Sequence, residues 1–239
     1  TYLSSLVLKM EAKYGSLPAV RSLHPEHFEK EFLSKGAPLS AEMLTDLRSI
    51  VGAVMYSAYC TRPDLLVPVC TLAKGQSAEE GTQTYLSEAK RLVQYIAGNT
   101  HRELRVVLDD KVKLDLSKVD LLTYHDANFT GTGSRVGNFT CVKYNSQLVP
   151  LLWSSKMLKA STLSTAEAEL MGGTHAARQL LSFKHVFEEA QQQKINKCVL
   201  LGDNMAATLM SRGECSLRKV RHVMLSDLFI RQAVTDHGF

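Results

Sequence analysis

Three acidic residues stand where folding alone gives no reason for an acid. Asp126 closes an apolar run over 119–126, and Asp203 follows the most hydrophobic run in the chain, 197–201. Glu169 falls in the apolar stripe of a helical pattern, in register with Ala166, Leu170, Gly173, Ala177 and Leu180 at steps of three and four. A carboxylate in such a stripe is costly unless it is paired or binds a metal. No lysine or arginine sits beside any of the three in sequence. Acids from three separate elements therefore point to a cation, and carboxylate oxygens suit Mg²⁺ or Mn²⁺. Taken singly, each also reads as a turn or cap residue, Asp203 most readily because a helix follows it.

The elements that would carry these acids follow from periodicity. The first half is mainly helical. Residues 2–14 place Leu3, Leu6, Val7 and Met10 at helical spacing, 40–59 form a helix with Ser40 as cap, and 82–97 form another ended by Gly98-Asn99. Thr61-Arg62-Pro63-Asp64 stops one helix and starts the next, since proline suits a first turn. A short strand is expected over 102–108, and the turn-rich 109–117 separates a helical part, 1–117, from a second part, 118–239. The second part switches to strands at 119–126, 138–144 and 147–154, with a hairpin turn at Gly131-Thr132-Gly133-Ser134. A long helix over 165–191 follows, Ser164 and Glu167 standing in capping-box spacing. The run 197–201 reads as a strand buried on both faces, Asp203-Asn204 opens a short helix, and 217–234 forms another. The order βββαβα describes an α/β fold, a mixed sheet with an antiparallel hairpin and a parallel strand reached through a helix. Strand ends in such a sheet open onto the ligand crevice. Gly172-Gly173 let the long helix approach the sheet closely there.

With 239 residues and 45% hydrophobic side chains, the chain builds a folded core without disulfides and is no disordered tract. The uncharged stretch between Arg48 and Arg62 holds 13 residues, too few to span a bilayer, so no membrane segment is expected. The chain starts at Thr1 and reads as a fragment or processed product. Residues 1–117 carry 14 basic and 14 acidic side chains, whereas 118–239 carry 14 and 10, so the whole net charge of +4 lies in the second part. Arg212, Arg218, Lys219 and Arg221 cluster there, a pattern that neutralises phosphates or forms a solvated basic face. The five cysteines lack CxxC spacing, which fits a reducing, intracellular compartment, cytoplasmic or nuclear. In such a compartment the Asn-Phe-Thr triplets at Asn128 and Asn138 carry no glycan. His24 and His27 are too few for a zinc site.

Several motifs in order carry a family likeness. Tyr124-His125-Asp126-Ala127-Asn128, Trp153-Ser154-Ser155-Lys156, the run from Leu163 to Met171 that contains Glu167 and Glu169, and Gly202-Asp203-Asn204 resemble the ribonuclease H domain of copia-type LTR retrotransposon reverse transcriptases. Val51–Tyr56, Thr61–Asp64 and Ala89–Ile96 resemble the connection region between polymerase and ribonuclease H in those proteins, and Tyr2–Gly15 the segment after the polymerase palm. Arg221-His222-Val223 and Phe229-Ile230-Arg231 fit the helix after the third acid. The resemblance implies an RNase H-like fold preceded by a thumb- or connection-like helical region. It implies a metal-dependent endonuclease that cuts the RNA strand of RNA–DNA hybrids.

Under that resemblance Asp126, Glu169 and Asp203 match the first three catalytic, metal-binding acids, with Asp126 bridging two Mg²⁺ or Mn²⁺ ions. One ion activates the attacking water and the other stabilises the leaving oxygen. Asn204 would contact the RNA minor groove or cap a helix, and Arg212, Arg218, Lys219 and Arg221 would meet phosphates. The family's fourth acid lies on a terminal helix beyond a fifth strand. The chain stops at Phe239 before them, so the C-terminal strand and helix are expected to be missing and one ion to bind weakly. Asp109-Asp110 lacks the tyrosine of a polymerase motif, so no DNA synthesis is expected. The alternative is an inactive RNase H-like relic that binds nucleic acid, or a protein partner through its helical first half.

Overall fold

The computed structural model describes residues 2–102, 104, 115–129, 133–144, 147–158, 162, 164–212 and 224–237. The chain divides into two compact units, Thr1–Arg105 and Val106–Phe239.

The first unit is helical. It holds helices α1 (Tyr2–Tyr14), α2 (Lys30–Leu33), α3 (Ala41–Cys60), α4 (Leu66–Leu72) and α5 (Gln83–Gly98), with short 3₁₀ turns before α2 and on either side of α4. Ser40 caps α3 as its spacing implies, its hydroxyl accepting the Met43 N–H at 3.3 Å. The inward stripe of α3, Leu47, Ile50 and Val54, is fully buried, as are Leu92 and Ile96 of α5. Pro63 opens a 3₁₀ turn that leads into α4. Asp64 in that turn takes a bidentate ion pair from Arg62 at 2.8 and 2.9 Å and the Tyr95 hydroxyl at 2.9 Å. Arg62 also donates to the Asn99 carbonyl at 3.2 Å.

The second unit is a four-stranded mixed sheet with helices against it, the expected α/β arrangement. Strands β1 (Val119–Asn128), β2 (Arg135–Tyr144), β3 (Gln147–Met157) and β4 (Lys197–Leu201) lie in the order β3-β2-β1-β4. β1, β2 and β3 form an antiparallel meander, and β4 runs parallel to β1. A bulge at Thr140/Cys141 shifts the β2–β3 register, and both of those residues are buried. Helix α6 (Thr165–Gln191) connects β3 to β4, with Ser164 Oγ accepting the Glu167 N–H at 3.2 Å. Leu121, Leu180, Ile195 and Cys198 form the core between α6 and the sheet. Gly172 lies where a Cβ would be 3.3 Å from Val136, so the glycine pair does bring α6 onto the sheet. Short α7 (Met205–Ser211) and α8 (Met224–His237) complete the unit, Ile230 and Ala233 of α8 packing on Leu170 and Ala177 of α6.

The expected strand at 102–108 falls largely outside the described residues, as do Gly131-Thr132 of the hairpin turn and the first residues of the expected last helix. Among the described residues no helix is long and apolar enough to cross a membrane. Cys60, Cys70, Cys141 and Cys198 are free thiols.

Candidate metal centre

Alternation along β1 turns Leu121, Thr123 and His125 toward α6 and leaves Tyr124 and Asp126 more open. The parallel register pairs Tyr124 with Leu201, so Asp126 and Asp203 each lie two residues beyond the same rung of the sheet. Glu169 reaches them from the first turns of α6. One carboxylate oxygen from each of Asp126, Glu169 and Asp203 lies within 4.8 Å of the other two. Asp126 and Asp203 are exposed, whereas Glu169 is 3% exposed.

The electrostatics of this cluster are unbalanced. Glu169 Oε1 accepts the Ala127 N–H at 3.0 Å, while its Oε2 is buried with no hydrogen-bond partner. Among the described residues no lysine or arginine forms an ion pair with any of the three acids. Burial pushes the Glu169 carboxyl above its ordinary pKa, and the charges of Asp126 and Asp203 push it the same way, against the Ala127 N–H. A buried carboxylate with one orphan oxygen, set beside two further carboxylates, is a donor set for a hard divalent cation, so the residues present fit Mg²⁺ or Mn²⁺.

Asn204 caps α7, its Oδ1 accepting the Ala207 N–H at 3.0 Å. Arg212 is exposed just after α7. Arg218, Lys219 and Arg221 lie outside the described residues. Asn138 of the second glycosylation-like triplet is buried and donates its amide to Gln179, so it is no glycan acceptor as folded. A cavity of about 70 Å³ opens beside the acids, lined in part by His125, Glu169, Gly202, Thr208 and Arg212.

His125 is the residue of this site that sequence reasoning passes over. Its ring is buried, and burial lowers its pKa while Asp126 and Asp203 pull the other way. Two signals mark it: its place on the inward phase of β1 and its position directly before an acid.

No family model matches the chain. It is 24% identical over 190 residues, 80% of its own length, to the Retrovirus-related Pol polyprotein from transposon TNT 1-94 of Nicotiana tabacum. The match covers 14% of that polyprotein, so the chain spans about one seventh of its relative. Among solved structures it resembles RNase H1 from the archaeon Halobacterium salinarum, with a TM-score of 0.36 and 11% identity over 48% of this chain and 77% of that one. It also resembles the N-terminal RNase H domain of a Mycobacterium tuberculosis protein, with a TM-score of 0.37 and 12% identity over 49% and 75% of the two chains. The sequence match is too long to lie within either compact unit alone. By that match, the chain is similar to the Pol polyprotein of a copia-type retrotransposon across both units.

Proposed function

We propose that this chain is a divalent-metal-dependent endonuclease that cuts the RNA strand of RNA–DNA hybrids. In this reading residues 118–239 are the nuclease part and residues 1–117 the connection-like part, with a surface for a protein partner. Asp126, Glu169 and Asp203 are the catalytic ligands. The observation that carries the reading is the convergence of their oxygens within 4.8 Å, with no lysine or arginine among the described residues in an ion pair with them. Mg²⁺ or Mn²⁺ held there supplies the activation of water and the stabilisation of the leaving oxygen that phosphodiester hydrolysis requires.

The chain's own contribution is to hold charge where water cannot relax it. Ala127 N–H fixes Glu169 Oε1 at 3.0 Å, and the second oxygen is buried without a hydrogen-bond partner. Asp126 and Asp203 face solvent, so a phosphate can approach from the open side. Arg212, Arg218, Lys219 and Arg221 take the backbone phosphates of the hybrid, with binding that weakens as salt rises. Asn204 stands beside Asp203 and, beyond its capping bond, has an amide N–H₂ to offer the minor groove. The free thiols fit action in a reducing compartment inside the cell.

The test is cleavage of a labelled RNA–DNA hybrid by the purified chain in Mg²⁺ and in Mn²⁺. Metal-dependent cutting of the RNA strand, abolished by Asp126→Asn, is the expected result. A chain that binds the hybrid but leaves it intact in both metals is a nucleic-acid-binding module and not a nuclease.

A further inference from the structure

The imidazole of His125 touches the carriers of all three acids. It directly precedes Asp126 on β1. A Cβ on Gly202, the residue before Asp203, would lie 2.6 Å from both Cε1 and Nε2 of the ring. A Cβ on Gly173, one turn along α6 from Glu169, would lie 3.2 Å from Cε1 and 3.4 Å from Nε2. Both glycines thus leave room for this ring, and a methyl group at Gly202 would displace it. Nδ1 of His125 is buried without a partner, and so is Oε2 of Glu169, 3.8 Å away. Each orphan is a chemical complement of the other, and leaving both unmade is expensive. A shift of roughly 1 Å brings the pair into N–H···O range.

We propose that His125 is the positioning residue of the acid cluster. Its ring is the spacer on which β1, α6 and the β4–α7 turn close, and its Nδ1–H holds Glu169 Oε2 while Ala127 N–H holds Oε1. With both oxygens gripped from behind, one lone pair on each stays turned toward Asp126 and Asp203. The functional weight of this role rests on the metal-centre reading above, whereas its structural content does not.

Asparagine and glutamine at position 125 separate the two. Asparagine presents its amide at the δ position, where Nδ1 stands, and glutamine presents it at the ε position while filling more of the ring's volume. Two readouts apply to His125→Asn, His125→Gln and His125→Leu. The first is hydrogen exchange of the Ala127 amide by NMR in metal-free protein, with the Leu121 amide of the same strand as the control for folding. The second is Mn²⁺ affinity by electron paramagnetic resonance. In His125→Gln and His125→Leu the Ala127 amide should exchange at least about tenfold faster and Mn²⁺ affinity should fall by about 10- to 100-fold. His125→Asn should stay within about threefold of the unaltered chain in both. Equal behaviour of Asn and Gln variants, or Gln the better of the two, overturns the proposal even if the Leu variant fails to fold. If the unaltered chain binds no Mn²⁺ but the Ala127 amide follows the expected order, the positioning role stands and the metal reading falls.

Discussion

Each compact unit sets a carboxylate against a buried group, and the two satisfy it in opposite ways. In the helical unit Asp64 is met by the Arg62 fork and the Tyr95 hydroxyl, and Arg62, 4% exposed, is itself anchored on the Asn99 carbonyl. Burial would raise the Asp64 pKa, but the guanidinium overcomes it and holds the carboxyl below the usual range. In the sheet unit Glu169 has one backbone N–H, two neighbouring acids and, among the described residues, no guanidinium in an ion pair with it, and its pKa moves up. The first arrangement is complete and serves only the fold. The second is left incomplete, and a site that must accept a cation has to be incomplete in this way.

Substitutions break this comparison in graded steps. Asp64→Asn leaves the buried Arg62 guanidinium without its counter-charge and should cost about 3 kcal/mol in urea or guanidinium unfolding. Arg62→Met removes that buried charge, leaves Asp64, whose side chain is 29% exposed, to the Tyr95 hydroxyl and water, and should cost about 2 kcal/mol by the same measurement. Glu169→Gln should have the opposite sign. Relieved of a buried, repelled charge, the metal-free protein should gain on the order of 1 kcal/mol while losing Mn²⁺ affinity and any cleavage. A loss of stability in Glu169→Gln without metal would show that the cluster is balanced by a partner after all.

The smallest effect belongs to an acid at the surface. Ser117, with Gln193 next, stabilises the charged form of Asp115 and lowers its pKa from 3.8 to about 2. A folded-state pKa below the unfolded one adds stability that is present above the unfolded value and lost as pH falls through the folded one. The contribution should therefore fade between about pH 4 and pH 2, and an Asp115→Asn variant should show a flatter acid limb in thermal melts over that window.

Much of this was legible in the residues, for identifiable reasons. Long amphipathic helices declare themselves by periodicity, so α1, α3, α5 and α6 fall within a residue of their expected limits. The three acids were visible because each contradicts its own local pattern. In sequence the Arg62–Asp64 pair marks only a helix stop, because Tyr95 and Asn99 lie 31 and 37 residues from their partners and no short-range pattern announces them. Helix α2 is four residues long, too short for any period. Strand β2 begins at Arg135, before the expected 138, and its bulge buries Thr140 and Cys141 together, which blurs alternation. His125 was hidden for a different reason. A histidine inside a strand is unremarkable until Gly173 and Gly202 are seen to make room for it.

The parallel pairing of Tyr124 with Leu201 acts as a ruler for the two exposed acids. Inserting one residue into either strand upstream of that rung moves its acid about 3.3 Å along the sheet and turns it to the opposite side. Changes of residue type along these strands are graded, whereas a change of chain length is all or nothing. Natural length variation compatible with the cluster is therefore confined to the connections outside the rungs from Asp120 to Tyr124 and from Lys197 to Leu201 and the two steps beyond each.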